Sequence, residues 1–264
     1  MSSWEHVADA YHQSFGRLCA GTIPAVLDAV INSIDGTGTL LDVGSGTGEL
    51  LLAARSRGTD AIGVEPDEDM RRLAEITVPG LTRPGALPQL DLPDGSFSAV
   101  TANFVVNHLP DPRAAVRELL RVTAPHGRLA MTIWPAGGPG WGTLVADVFA
   151  AAQVTPPPST RLPAELDFAR TERGLADLAR DAGADVLDAR EIQWEWTIAP
   201  EDLWAGIAGG VATPGKTYLA QSDAVQERVM KEFDRRTAQA AKKSGTLTFV
   251  NRAVLVIASH DDAT

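Results

Sequence analysis

The sequence predicts an α/β fold, a doubly wound and mostly parallel sheet with helical lid insertions. Three observations predict it. Short apolar strand patterns alternate with helical patterns between Thr39 and Trp134. A glycine-rich turn, "GSGTG" at Gly44 to Gly48, joins the first strand of that series to its first helix. The second half then breaks the alternation with long helical stretches before the last apolar strand. Strands and helices in alternation build βαβ units, whose parallel strands are covered by helices on both faces.

The elements follow in order. Val7, Tyr11, Phe15 and Leu18 recur at helical spacing within one segment, Trp4 to Leu18. Ile23 to Ile34 is a second helix, with Pro24 in the first turn and Val26, Leu27, Val30, Ile31 and Ile34 as its apolar stripe. Strands are expected at Thr39–Val43, Asp60–Glu65, Ser98–Asn103 and Arg128–Trp134, with helices at Gly48–Arg57, Asp67–Ile76 and Asp111–Thr123. "GGPGW" and "TPPPST" mark loops around a short helix near Leu144 to Ala152. Thr171 to Ala182 forms a helix with Leu175 and Leu178 inward. Val186 to Ile198 forms a strand with Ile192, Trp194, Trp196 and Ile198 on one face. Pro200 to Gly245 is a helical insertion, and Leu247 to Ala258 is an apolar strand. The expected division is a helical lid over 1–36, an α/β core over 37–198 and 246–264, and a helical cap over 199–245.

Composition excludes several functions. The 264 residues carry a net charge of −11 with no long basic run, which disfavours nucleic acid as a partner. The single cysteine, Cys19, rules out a disulfide framework and a thiolate metal cage. No apolar stretch has the length of a signal peptide core or a membrane span, so no membrane partner is expected and the location expected is cytoplasmic. A homodimer is left open.

The stretch "LLDVGSGTGEL", Leu40 to Leu50, is where a ligand should meet bare backbone. Glycine removes the Cβ that blocks close approach, and a helix N-terminus adds unpaired N–H groups. A dinucleotide site wants G-x-G-x-x-G/A, which puts a small residue at position 49. The chain has Glu49 there, with the glycine one residue early, and a carboxylate repels a pyrophosphate.

This stretch resembles the first motif of the class I S-adenosylmethionine (SAM)-dependent methyltransferases. The resemblance continues through "AIGVEPDEDMRRLA", "LPDGSFSAVTANFVVNHLPDPRAAVRELLRV" and "APHGRLAMTIW", ending at Trp134. It points to the small-molecule, ubiquinone/menaquinone-methyltransferase-like branch. It implies a seven-stranded, Rossmann-like methyltransferase fold, SAM as cofactor and S-adenosylhomocysteine as product. It places Gly44, Ser45 and Gly46 along the cofactor, Asp42 behind the loop facing the methionine end, and Met70 along the adenine. Asn103 and Phe104 would lie beside the sulfonium and methionine portion. Glu65, roughly twenty residues past the first glycine, has the position of a ribose-binding acid, with Pro66 after it. One departure stands out. Where the family commonly has G-D-A after its third strand, this chain has Gly85, Ala86 and Leu87. Adenine would then be held by apolar contact and backbone N–H groups, unless Asp91 substitutes for the missing acid.

Methyl transfer needs alignment, and a base where the nucleophile carries a proton. His108 in "VVNHLPD" follows the fourth strand, where many relatives have histidine; a plain loop or packing role competes. Tyr11 matches a tyrosine that caps the cofactor in related lids, with core packing as its alternative, and His12 sits beside it. His126 replaces a glycine on the edge away from the cofactor and is expected to be inert. No acid cluster has metal-ligand spacing, so no metal is expected. The lid is rich in aromatic residues, which suits a small, partly hydrophobic methyl acceptor, natural-product intermediates among them. Two alternatives are a methyltransferase-fold enzyme catalysing a non-methylating cyclisation or rearrangement, and a non-catalytic SAM-binding protein.

Overall fold

The computed structural model of the chain describes residues 7–31, 34, 38–137, 140–158, 162–241 and 244–259. Trp4 and His6, placed on the first helix by the sequence, lie outside these residues, as do 138–139 and 159–160 of the two Pro/Gly-rich loops.

Seven strands form one sheet: β1 Thr39–Val43, β2 Asp60–Val64, β3 Thr82–Arg83, β4 Phe97–Asn103, β5 Thr123–Ile133, β6 Asp185–Ile198 and β7 Leu247–Ser259. Their order is β3-β2-β1-β4-β5-β7-β6. β1 pairs in parallel with β2 and β4, β2 with β3, and β4 with β5. β7 inserts antiparallel to β5, from Arg128 opposite Ser259 to Ile133 opposite Val254. Strand order reverses between β1 and β4, the switch point at which open α/β sheets bind ligands.

The sequence pattern explains this layering. Leu40, Leu41 and Val43 of β1 and Ala99, Val100 and Ala102 of β4 are buried, as strands covered on both faces require. In the second half of β7, residues 253–259 are all buried. β6, at the sheet edge, alternates instead: Ile192, Trp194, Trp196 and Ile198 are the less exposed positions, and Gln193, Glu195 and Thr197 face out. Three helices open on side-chain caps of about 0.5–2 kcal/mol each. Asp67 accepts from the Met70 N–H at 3.0 Å, Asp111 from Ala114 at 2.9 Å, and Thr171 from Gly174 at 3.0 Å.

Two boundaries differ from the sequence reading in ways that the packing explains. The first helical segment breaks at Ser14 into Ala8–Gln13 and Phe15–Ala20. The Ser14 hydroxyl and N–H both turn back to the Ala10 carbonyl, while Gly206 packs directly against the Ser14 side chain. β5 starts at Thr123, five residues before Arg128, because Thr123 already pairs with Phe97 ahead of a register irregularity. His126 in that irregular stretch has φ 62°, the conformation of the glycine it replaces. The third strand is only two residues long.

The chain divides into two compact units. One comprises Thr22–Ala136, Arg161–Ile192 and Arg252–Thr264 and holds most of the sheet. The other comprises Met1–Gly21, Gly137–Thr160 and Gln193–Asn251 and is mainly helical. This grouping cuts across the lid, core and cap read from the sequence. The helix Ile23–Val30, assigned to the lid, packs on β4 and β5, whereas Gly140–Ala151, assigned to the core, packs on the long helix Asp223–Ala240.

Candidate functional site

The site builds from the carboxyl ends of β1, β2 and β4. After Val43 the chain enters the glycine turn, where the N–H groups of Gly44 and Ser45 donate to the Val64 carbonyl at 2.8 and 3.1 Å. The loop is thereby pinned to the end of β2. The three glycines do different work. A Cβ at Gly44 would meet Val105 at 2.6 Å, and one at Gly48 would meet Val78 at 2.7 Å, so both are bare for close packing. A Cβ at Gly46 meets nothing within 4 Å, and Gly46 has φ +53°. Gly46 alone combines left-handed backbone with open space, where ligand atoms can reach the main chain.

Glu65 organises this turn. Its Oε2 accepts from the Gly46 N–H and its Oε1 from the Asp67 N–H, each at 2.9 Å. Arg71 in turn donates to the carbonyls of Glu65 and Pro66 at 2.7 and 2.8 Å. Glu65 is 6 % exposed, and burial raises its pKa above the ordinary carboxylate value, against the two N–H donors that lower it. An ionised carboxylate offers about four lone-pair directions, so both oxygens keep capacity for a ligand's hydroxyls. Met70 is buried on the helix that Asp67 caps, and Pro66 is exposed at the bend.

Asp42 lies behind the loop, fully buried. Its Oδ1 accepts from the Thr101 hydroxyl at 2.8 Å. Burial pushes its carboxyl up to about 7, opposed by that hydroxyl and reinforced by the charges of Glu65 and Glu49. Glu49, the residue that departs from the dinucleotide pattern, accepts from the Thr47 hydroxyl. Three carboxyl groups thus lie about a bare backbone turn, and the charges of Glu65 and Glu49 repel that of Asp42. Such a place resists phosphate and favours a cation. Within it the buried Ser45 hydroxyl has no hydrogen-bond partner among the described residues.

At the end of β4, Asn103 is held firmly. Its Oδ1 accepts from the hydroxyls of Thr22 and Thr132 at 2.8 and 2.6 Å. The Phe104 N–H donates to the Thr132 hydroxyl at 2.9 Å, and the Phe104 ring, at φ 58°, stacks on Trp134 with centroids 4.1 Å apart. Beyond it, Val106–His108 forms a 3-10 turn. His108 is exposed there, so packing does not account for it. Asn107, which the sequence reading passed over, has a buried side-chain carbonyl without a partner among the described residues. The only signal for it was its place beside His108, since burial inside a short turn leaves no periodic trace. Val105 of the same segment touches Gly44, which brings this turn against the glycine loop.

The structure therefore brings Asp42, Gly44, Ser45, Gly46, Glu65 and Met70 together, with the β4 exit beside them. Gly85 packs against Val64 at the end of β2, Ala86 bridges to Gln89, Leu87 is half-buried, and Asp91 is exposed. Tyr11 and His12 belong to the helical unit. There the Tyr11 ring lies against Gly16, and His12 is exposed. Among the described residues, no three His, Cys, Asp or Glu side chains assemble as metal ligands, and no helix is long and apolar enough to cross a membrane.

Residues 41–131 match the family described as a methyltransferase domain. An uncharacterized methyltransferase of Mycobacterium sp. (strain KMS) is 36% identical over 132 residues, which cover 47% of this chain and 52% of that protein. The chain thus spans about half the length of the curated relatives it matches. Among solved structures, the YcgJ protein from Bacillus subtilis superposes with a TM-score of 0.56 at 20% identity, covering 92% of this chain and 99% of that one. The [4+2]-cyclase SpnF superposes with a TM-score of 0.55 at 21% identity, covering 92% and 82%. At these identities the structures establish the fold.

Proposed function

From the premise that the α/β core is a class I SAM-dependent methyltransferase domain, we propose that the chain transfers a methyl group from SAM to oxygen, nitrogen or carbon of a small, partly hydrophobic acceptor. The observation that carries this reading is the acidic turn: Gly46 has left-handed backbone with open space where a Cβ would lie, its N–H is held by Glu65, and the charges of Glu65 and Glu49 act on the buried Asp42 behind it. A ligand with a sulfonium and an ammonium relieves that repulsion, and one with a pyrophosphate deepens it.

When bound, SAM would supply an electrophilic methyl group, with S-adenosylhomocysteine as the leaving group. Glu65 accepts the ribose hydroxyls with the lone pairs left over from Gly46 and Asp67. Asp42 and Glu49 provide the negative field for the cationic end. Met70, with Ala86 and Leu87, forms the apolar side for adenine in place of the missing acid. Asn103 and Phe104 hold the β4 exit rigid through Thr22, Thr132 and Trp134. His108 takes the proton where the nucleophile carries one.

Calorimetry tests the cofactor. S-adenosylhomocysteine binds and NAD does not; tighter binding of NAD overturns the reading. Incubation with SAM and a panel of small acceptors then tests the reaction by mass spectrometry. Accumulation of S-adenosylhomocysteine with methyl gain supports transfer. A changed product without methyl gain assigns the non-methylating alternative, which the fold shared with SpnF accommodates.

A further inference from the structure

β3 ends at Arg83 after two residues, so the sheet does not fix the main chain that follows it. Between Pro84 and Ser96 no helix or strand forms, and Ala86 and Gln89 make an isolated bridge. The start of this segment borders the site. A Cβ on Gly85 would lie 3.1 Å from the Val64 side chain, and the Val64 carbonyl is the one that anchors the glycine turn. Ala86 is exposed there, and Leu87 is half-buried.

The rest of the segment is held from the helix Pro112–Val122. The Leu90 N–H donates to Glu118 Oε1 at 2.6 Å, across 28 positions of sequence. Arg121, one turn beyond Glu118, donates to the carbonyls of Leu92 and Leu90 at 2.9 and 3.1 Å. The same guanidinium donates to the two Glu118 oxygens at 2.7 and 2.9 Å and to the Asp94 carboxylate. All five of its N–H donors are thereby engaged. The hydrogen bond from Arg121 also keeps the Glu118 carboxyl below its ordinary value, so the pair stays charged. This is a grip on main chain. Tying the segment to the core needs only apolar side chains, and Leu90, with Leu87 and Leu92, supplies them. A charged fork around the N–H and carbonyl of one residue fixes where the backbone itself lies.

That placement matters because Gly85, Ala86 and Leu87 carry no acid. A carboxylate adjusts to a base through its rotamers, whereas main-chain N–H groups and short apolar side chains act only where the backbone puts them. A segment left loose would also have to be ordered at each binding event, at a cost in affinity. We propose that Glu118 and Arg121 are positioning residues for the adenine end of the cofactor: they set the main chain of residues 85–92 against which the base lies, without touching the base. The proposal rests on the methyltransferase reading, since it needs an adenine beside Ala86 and Leu87.

Calorimetry with S-adenosylhomocysteine, and competition against it by S-ribosylhomocysteine, reads the base apart from the ribose and amino acid. Glu118→Ala and Arg121→Ala should weaken S-adenosylhomocysteine by roughly tenfold, the scale of one net hydrogen bond. S-ribosylhomocysteine, which has no base, should stay within about twofold of its wild-type affinity. Glu118→Gln keeps an oxygen for the Leu90 N–H and should recover most of the loss. A role in stability alone weakens both ligands together. Equal losses of the two ligands, or unchanged S-adenosylhomocysteine affinity in both alanine variants, therefore overturn the proposal. Where S-ribosylhomocysteine fails to compete even in the wild type, the base carries the affinity, and absence of recovery in Glu118→Gln overturns it. Melts confirm that the variants fold. Arg121→Lys replaces an alanine variant that does not, because one ammonium cannot span both carbonyls and Glu118, and the same selective loss is expected. S-adenosylhomocysteine that fails to bind the wild type overturns the methyltransferase reading and this proposal together. Binding to the wild type without a selective loss in the variants overturns this proposal alone.

Discussion

Asp42→Asn should stabilise the protein at alkaline pH far more than at acid pH. The carboxyl of Asp42 has a value of about 7 in the folded chain against 3.8 for the free side chain. Below pH 3.8 both folded and unfolded states hold the proton, and Asp42 costs nothing. Between 3.8 and about 7 the unfolded chain is ionised while the folded one keeps its proton, so stability falls as pH rises. Above pH 7 the loss is complete, at about 4 kcal/mol for an interval of this width. At pH 5 less than half of it has developed, so roughly 2–3 kcal/mol separates pH 5 from pH 8. Asparagine cannot ionise but still accepts from the Thr101 hydroxyl. Its extra N–H group needs a new partner, a penalty that does not change with pH. The comparison is therefore the difference between variant and wild type at the two pH values. Thermal or denaturant melts measure it, and the gap between the two melting temperatures should widen by roughly 5–10 °C on going from pH 5 to pH 8. The same variant should bind SAM more weakly at pH 8, where the wild type offers a carboxylate to the sulfonium. Parallel stability curves for the two proteins across this range would show that Asp42 ionises without penalty, and the acidic-turn account of the site would fall with it.

The other predictions concern the loop. Glu65→Ala should weaken S-adenosylhomocysteine by roughly 1.5–3 kcal/mol, the scale for hydrogen bonds to a charged group. It should also lower the melt, because the Gly46 and Asp67 N–H groups lose their acceptor; unchanged affinity in calorimetry would place the ribose elsewhere. Gly46→Ala should cost about 1–3 kcal/mol of stability from backbone strain at φ +53°. Gly46→Val should abolish cofactor binding through bulk in the open space, and retained binding by that variant would remove the loop from the site. His108→Ala should lower kcat on an acceptor whose nucleophile carries a proton, with cofactor affinity unchanged. Loss of cofactor affinity in that variant would make His108 part of the binding site instead.

Much of this was legible in the sequence because it is written in near neighbours. The alternation of apolar strand and amphipathic helix needs only periods of two and 3.6 residues, and the strands β1, β2 and β4 fall within a residue of where that pattern places them. The glycine turn, Glu49 in place of a small residue, and Glu65 at the end of the second strand are likewise local facts. They sufficed to point toward the methyltransferase domain that residues 41–131 match.

What each side chain meets was decided by residues far along the chain. Three glycines that look alike in "GSGTG" separate only when Val105 and Val78 fill the space at two of them and leave Gly46 open. Asp42 becomes a group of raised pKa because the fold buries it away from water and sets the charges of Glu65 and Glu49 near it, against the opposing hydrogen bond from Thr101, 59 positions away. The same packing breaks the first helix at Ser14 against Gly206, and moves Gly140–Ala151 out of the expected core onto the helix Asp223–Ala240. It buries the side-chain carbonyl of Asn107 while leaving His108 exposed. Periodicity fixes which face a residue occupies, but hydrogen bonding and desolvation depend on the atoms brought against that face, and those come from the tertiary fold.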